Sequence, residues 1–380
     1  MSFSNGDRAE AFGRFFLPGP TEVRPTVLAA QNRPMIGHRG PDIQEIMGRL
    51  QEGLKPLFGT QRPVFISTSS ASGLMEAAVR NGVRRRVLCL VNGAFSERFA
   101  NIARACGMEV DPMTVPWGQV HDPQAVSERL DEGGHDAVTA VHSETSTGAL
   151  NPLDDLAEAI LARPDTLFLV DSVTGAGGVP VAADRRRLDF VLTGSQKALA
   201  LPPGLAFGVA SQRMMQRSAD QPGKGQYFDL WEFQKQLDKL QTPTTPALSL
   251  LYALDEQLSF IASEGVEGRY ARHQAMAEAC WAWVDRLREE HGIALSVLAP
   301  EGHRSPTVTC IALPEGLDGS VLVGGMKDRG FVIGGGYGKL KENTIRIGHM
   351  GDHTLVELKR VLGVLEDVVL QASSVRREHA

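Results

Sequence analysis

The chain has 380 residues, of which 42% are hydrophobic and 22% charged. That is ordinary globular composition, which sets aside a disordered or fibrous chain and leaves room for two or three domains. Thirty-nine basic residues stand against 45 acidic ones, a net charge of −6, the wrong sign for a duplex-binding surface.

No apolar run reaches the length of a membrane span. Residues 1–14 are polar and lack the apolar centre of a signal peptide. A cytoplasmic protein without a membrane or nucleic-acid partner is therefore expected.

In chain order, short apolar runs predict strands at residues 64–67, 87–91, 137–142, 167–171, 190–193 and 205–210. Periodic stretches between them predict helices over 72–80, 96–106 and 153–161. Alternation of this kind argues for an α/β domain around a mostly parallel sheet. After Pro246 the pattern changes. Long helices are expected over 247–263 and 269–291. A strand at 307–313, a helix at 320–329, a glycine-rich turn, a strand at 344–347 and a last helix over 353–370 follow. This reads as a smaller α+β domain packed after the large one.

Two basic runs, Arg84-Arg85-Arg86 and Arg185-Arg186-Arg187, each precede a strand and read as solvated loops. The four cysteines, Cys89, Cys106, Cys280 and Cys310, form no CxxC pair. Buried, reduced thiols are expected rather than a metal or redox site.

Chemistry is suggested first by Leu167-Phe168-Leu169-Val170-Asp171. An apolar run ending on a carboxylate puts that acid at the carboxyl end of a strand, where open α/β sheets bind ligands. A turn-capping Asp is the plainer alternative. The run Phe190-Val191-Leu192-Thr193 then leads through Gly194-Ser195-Gln196 to Lys197. A lone lysine after a strand is usually a solvated one. A lysine and an acid delivered to one crevice are the pair that pyridoxal-phosphate chemistry needs: an amine to hold the cofactor as a Schiff base, and an acid to keep the pyridine nitrogen protonated. The run Ser69-Ser70-Ala71-Ser72-Gly73, between a strand and a helix, supplies free N–H groups and a helix dipole for a phosphate. A simple serine N-cap is its plainer reading.

Two glycine-rich runs are set aside. Gly175-Ala176-Gly177-Gly178-Val179-Pro180 has proline where a dinucleotide fingerprint needs glycine. Gly334-Gly335-Gly336-Tyr337-Gly338-Lys339-Leu340 has Leu where a phosphate-binding loop needs Ser or Thr, and is expected to be a loose turn.

Taken in order, Leu17-Pro18-Gly19-Pro20-Thr21, Met35-Ile36-Gly37-His38, Asn92-Gly93-Ala94-Phe95, His142-Ser143-Glu144-Thr145-Ser146-Thr147-Gly148, Val170-Asp171-Ser172-Val173, Gly194-Ser195-Gln196-Lys197-Ala198-Leu199, Pro202-Pro203-Gly204 and Arg346-Ile347-Gly348 resemble the class V, fold-type I aminotransferases. The likeness is to the alanine–glyoxylate and serine–pyruvate group and covers about residues 17–370.

The resemblance implies a fold-type I architecture with a seven-stranded-type sheet: an N-terminal arm (1–22), a large cofactor-binding domain (23–263) and a small C-terminal domain (264–380). It implies pyridoxal 5′-phosphate as cofactor, no metal, and a homodimer with shared active sites. Lys197 takes the Schiff-base position and Asp171 that of the pyridine-nitrogen partner, with Val173 and Phe95 against the ring. Thr145 matches a hydroxyl near the cofactor's phenolic oxygen. Ser70, Ala71, Ser72 and Gln196 match the phosphate site. Thr244 matches a threonine that reaches the phosphate of the other subunit, and Gln241 stands where some relatives have tyrosine. Arg346 and Gly19 match the groups around the substrate α-carboxylate.

The implied reaction is ping-pong transfer of an amino group from a small amino acid, alanine or serine, to a 2-oxo acid, glyoxylate or pyruvate. Alternatives on the same scaffold are ureidoglycine–glyoxylate transamination, lyase or desulfurase chemistry, and a non-catalytic relative. A desulfurase needs a nucleophilic Cys on a mobile loop, which the placement of these four disfavours.

Overall fold

The computed structural model describes residues 12–379, with backbone only for 374–379. Residues 1–11 of the expected arm lie outside the described residues.

A seven-stranded sheet forms the centre. Its spatial order is Phe65–Ser67, Ala206–Ala210, Phe190–Gly194, Leu167–Asp171, Ala137–Val141, Arg86–Val91 and Glu109–Thr114. Ala206–Ala210 runs antiparallel to both neighbours, and the other recorded pairings are parallel. The central strands Ala137–Val141, Leu167–Asp171 and Phe190–Gly194 are buried at every position. Covered on both faces, they read in sequence as continuous apolar runs rather than alternating ones.

The last strand, Glu109–Thr114, was not foreseen. It lies at the sheet edge, is only partly buried and contains Pro112, which an edge tolerates. Its Asp111 accepts from Arg129 at 2.8 Å and His135 at 2.9 Å, fastening the edge to the rest of the domain. The helix Pro41–Phe58 was also outside the expected elements. Its buried Ile43, Ile46, Met47, Leu50, Leu54 and Leu57 follow the i, i+3, i+4 spacing of an amphipathic helix. Pro41 opens it, and Gly59, at φ +61°, closes it in the left-handed conformation.

A second sheet is built from Phe15–Phe16, Val332–Gly335, Thr344–Ile347, Thr309–Ala312 and Ser296–Val297. Phe15–Phe16 pairs with Val332 and Ile333, so the start of the chain joins the sheet made by its end. Two large apolar cores result, with a small third cluster of Ala198, Val308 and Met350. One gathers residues between Val27 and Ile261; the other takes Phe16 and residues between Met276 and Val369.

The glycine-rich segment expected as a loose turn is ordered structure. Val332–Gly335 is a strand paired with Thr344–Ile347, and Gly338–Leu340 is a single helical turn. A side chain at Gly336 would overlap the Leu340 carbonyl, so the segment is folded too tightly for any other residue there.

Candidate active site

The strand Leu167–Asp171 ends with Asp171 2% exposed, and the neighbouring strand Phe190–Gly194 leads to Lys197, 7% exposed. Parallel pairing of the two strands, with Asp171 opposite Leu192, delivers both residues to the same sheet edge. Asp171 accepts a hydrogen bond from the Val173 N–H at 2.7 Å but makes no ion pair among the described residues. Burial pushes its carboxyl up to about 7, and nearby Glu144 adds to this, against the lowering effects of the Val173 amide and Lys197. Burial lowers the Lys197 amine to about 8, with the Arg346 charge acting in the same direction. Such a pair, shifted towards each other, is what an acid–base site requires.

The lysine is framed by the start of the chain. Its Nζ donates to the Pro18 carbonyl, and its own carbonyl accepts from Thr21 Oγ1 at 3.0 Å. Gly19, at φ +108°, leaves the space the lysine fills: a Cβ there would lie 2.5 Å from Lys197 Nζ. Leu17 and Pro18 run against Gly348 and Gly334, which flank Arg346 in the second sheet. One short segment therefore spans from Lys197 to the strand carrying Arg346.

Arg346 donates through Nε to the Gly335 carbonyl at 2.9 Å and through Nη1 to the Thr145 carbonyl at 3.3 Å. Burial lowers its pKa, and it has no acidic partner among the described residues. With two of its five N–H groups engaged, the rest are free for an incoming carboxylate.

Phe95 stands near the amine, with Lys197 Nζ 5.7 Å from its ring centroid. Its position is set by Glu144, whose role no sequence motif reveals. Glu144 is fully buried and accepts from the N–H groups of Phe95 (3.2 Å), Ser96 (2.9 Å) and Ser146 (3.1 Å). A carboxylate thus caps the helix Ala94–Ala105, whose first turn presents Phe95. Gly93 must be bare because a Cβ would overlap the Glu144 side chain. The available signal was an acid in a run of small hydroxyl residues, Glu144-Thr145-Ser146-Thr147, following an apolar strand.

Val173 is half-buried behind Asp171, and Thr145 hydrogen-bonds Thr174 through their hydroxyls. His142 is buried, its Nδ1 3.0 Å from Ser172 Oγ, and burial lowers its pKa to about 3, so it is neutral there.

The helix Ala71–Gly82 starts one residue earlier than expected, with Ser70 as N-cap residue, and the Ser70 side chain makes no capping bond. Ser70 thus stands at the N-cap position with its hydroxyl not bonded to the helix N-terminus. The helix N-terminus leaves backbone N–H groups of Ala71 and Ser72 without intrahelical acceptors. Gln196 lies across Gly194, with its Oε1 2.9 Å and the Ala71 methyl 3.3 Å from where a Gly194 Cβ would stand. Thr244 is exposed, and its carbonyl accepts from Thr242 Oγ1 at 2.7 Å. That loop lies beside the phosphate-loop candidate, since Ala247 N donates to Thr68 Oγ1 at 3.2 Å. Gln241 is engaged by Arg39 at 3.1 Å.

Cys89, Cys280 and Cys310 are buried, and burial pushes their thiols up to about 11, 12 and 11; Cys106 is half-buried and also raised. None has the character of a nucleophile. The described residues contain no cluster suited to a metal ion and no helix long and apolar enough to cross a membrane.

These residues fit pyridoxal phosphate. A buried acid with no ion pair among the described residues suits a protonated ring nitrogen, a buried amine of lowered pKa suits its aldehyde, and an open helix N-terminus suits its phosphate. Fold and site together define a fold-type I pyridoxal-phosphate enzyme. The sequence profile of the class-V aminotransferases matches residues 26–336, and the chain belongs to that family. It is 39% identical over 360 residues to an uncharacterized aminotransferase of Methanocaldococcus jannaschii, covering 93% of this chain and 91% of that protein. It is 33% identical to the serine–glyoxylate aminotransferase of Methylorubrum extorquens, over 89% of this chain and 86% of that one. Among solved structures, the alanine–glyoxylate aminotransferase of Nostoc sp. superposes with a TM-score of 0.87 at 30% identity, covering 97% of this chain and all of that one. The protein is thus a pyridoxal-phosphate-dependent aminotransferase whose substrates are amino acids and their 2-oxo counterparts.

Proposed function

We propose that this enzyme moves an amino group from a small amino acid, alanine or serine, to glyoxylate or pyruvate, in two half-reactions at one site. The observation that carries the reading is the placement of three groups. Lys197, lowered to about 8, and Asp171, raised to about 7, share one sheet edge, and Arg346, whose charge acts on Lys197, has no acidic partner among the described residues. The names of the serine–glyoxylate and alanine–glyoxylate relatives support the choice of substrates.

Bound pyridoxal phosphate supplies a ring that accepts the electrons released at the substrate Cα. Lys197 is assigned the cofactor-holding amine and, once released, the base that takes and returns the Cα proton; an amine of pKa about 8 does so near neutral pH. Asp171 is assigned the ring-nitrogen contact, where its buried carboxylate gains a positive partner. Phe95 and Val173 would flank the cofactor's ring, Thr145 would stand by its oxygen, and Ser70, Ala71, Ser72 and Gln196 would hold its phosphate. Arg346 would orient the α-carboxylate, with Gly19, which lies against Lys197, approaching the same group.

We further infer a cytoplasmic homodimer in which exposed Thr244 reaches the neighbouring subunit's phosphate site. The arm, large domain and small domain are assigned to residues 1–22, 23–263 and 264–380; the two large apolar cores support that division.

The test is a half-reaction screen. Enzyme loaded with cofactor is mixed with single amino acids, and its visible spectrum is followed. Alanine or serine should convert the cofactor to its amine form, and glyoxylate or pyruvate should reverse the change. Failure of all four to change the spectrum would exclude this substrate assignment.

A further inference from the structure

We propose that Tyr337 is a positioning residue that holds the Arg346 guanidinium ready for a substrate carboxylate. The proposal rests on the assignment of Arg346 as the carboxylate group. The Tyr337 ring lies against Arg346, whose guanidinium carbon is 5.3 Å from the ring centroid. The ring is fixed on its other contacts as well. It stacks with Phe95 at 5.4 Å between centroids and 24° between planes, and its hydroxyl accepts from Arg98 Nη2 at 3.2 Å.

The choice of an aromatic partner matters because of geometry. An acid would hold a guanidinium by its N–H edge, the same edge a substrate carboxylate needs. An aromatic ring attracts the cation through its face and leaves the in-plane donors free. Arg346 shows that division: its remaining bonds go to two backbone carbonyls, Gly335 and Thr145.

The glycine-rich segment is shaped to deliver this ring. Gly334 pairs with Arg346 across the two strands and has Pro18 against it; a Cβ there would come 2.9 Å from Pro18 Cδ. Gly336 folds against Leu340, and Gly338, at φ +57°, packs on Trp117, 3.0 Å from where its Cβ would be. Three bare residues thus let the chain turn tightly, and the one large side chain among them lands between Phe95, Arg98 and Arg346.

The experiment compares Tyr337→Leu and Tyr337→Phe with wild type, all loaded with cofactor, by calorimetric titration with propionate and by steady-state kinetics. Tyr337→Leu should raise the propionate Kd, and the KM for amino acid and oxo acid together, by about 2- to 30-fold, the range of a cation–π contact. Its kcat should stay within about twofold of wild type. Tyr337→Phe keeps the face and should recover most of the loss. Arg346→Ala is the control. If it loses propionate binding while Tyr337→Leu binds like wild type, the Tyr337 proposal is overturned and the carboxylate assignment stands. If Arg346→Ala itself binds propionate normally, the assignment of Arg346 fails first. Equal loss in the Leu and Phe variants would overturn the claim that the ring face is responsible. A loss confined to kcat or to thermal stability would also overturn it, since that is what a merely structural residue would show.

Discussion

Replacing Asp171 by asparagine in the cofactor-free enzyme should make the protein more resistant to unfolding as pH rises. Asp171 is 2% exposed, and its carboxyl is raised from 3.8 to about 7, chiefly by burial. A folded-state pKa above the unfolded value stabilises the protein below the unfolded pKa, and that contribution is lost as pH climbs through the folded one. At about 1.4 kcal/mol per pH unit, the difference amounts to about 4 kcal/mol of penalty by pH 8, of which somewhat under half is already present at pH 5. The amide of Asp171→Asn carries no such titration, so the variant's stability relative to wild type should improve by about 2–3 kcal/mol between pH 5 and 8. For a chain of this size, at about 2.1 cal/mol/K per residue, that is a relative gain in Tm of about 3 °C.

Lys197 and Asp171 act on each other's titration, so the comparison is cleanest below pH 7. The Lys197 pKa is lowered to about 8, so its contribution is lost as pH falls through 8 and is nearly constant between 5 and 7. The assay is thermal unfolding of both apo proteins in matched buffers from pH 5 to 8. Parallel Tm profiles for the two proteins would show that Asp171 is not held in a destabilised charge state, and the argument for its pairing with a ring nitrogen would fall. With cofactor bound, the same variant should lose most of its turnover.

Arg346→Ala should keep the bound cofactor but lose about 1.5 to 3.5 decades in kcat/KM for both substrates, since removing one partner of a desolvated charge pair costs roughly 2–5 kcal/mol; steady-state kinetics read this directly. Mixed dimers of Thr244→Ala and Lys197→Ala subunits should contain one intact site and one carrying both lesions, so verified heterodimers that show no activity would contradict a contact across the interface. Glu144→Gln should replace one of two accepting oxygens by an N–H that meets either the Ser96 or the Ser146 amide, a mismatch of about 1–3 kcal/mol, and should weaken cofactor affinity, measured by equilibrium dialysis, by about tenfold or more.

The large sheet was legible because its central strands are buried on both faces, which leaves no solvent-facing position, and only small buried polar residues such as Thr139 and Thr193 enter the apolar runs. Asp171 and Lys197 were legible for a related reason: a charged residue ending such a run is placed by the strand itself. Glu109–Thr114 was hidden because an edge strand with Pro112 and alternating polar residues lacks that pattern. Glu144 and Tyr337 were hidden because their places depend on contacts far along the chain, with the amides of Phe95 and Ser96 and with the Arg346 guanidinium. The glycines around Tyr337 resembled a failed phosphate loop, and only their packing against Pro18, Trp117 and Leu340 shows what their small size permits.

The central claim is that Lys197 holds the cofactor, and borohydride reduction tests it most directly. Enzyme loaded with pyridoxal phosphate is reduced, digested and mapped by mass spectrometry. The label should fall on the peptide containing Lys197, and Lys197→Ala should take up none and show no visible absorbance from lysine-bound cofactor. A stable label on any other lysine, with Lys197 unmodified, would contradict the account.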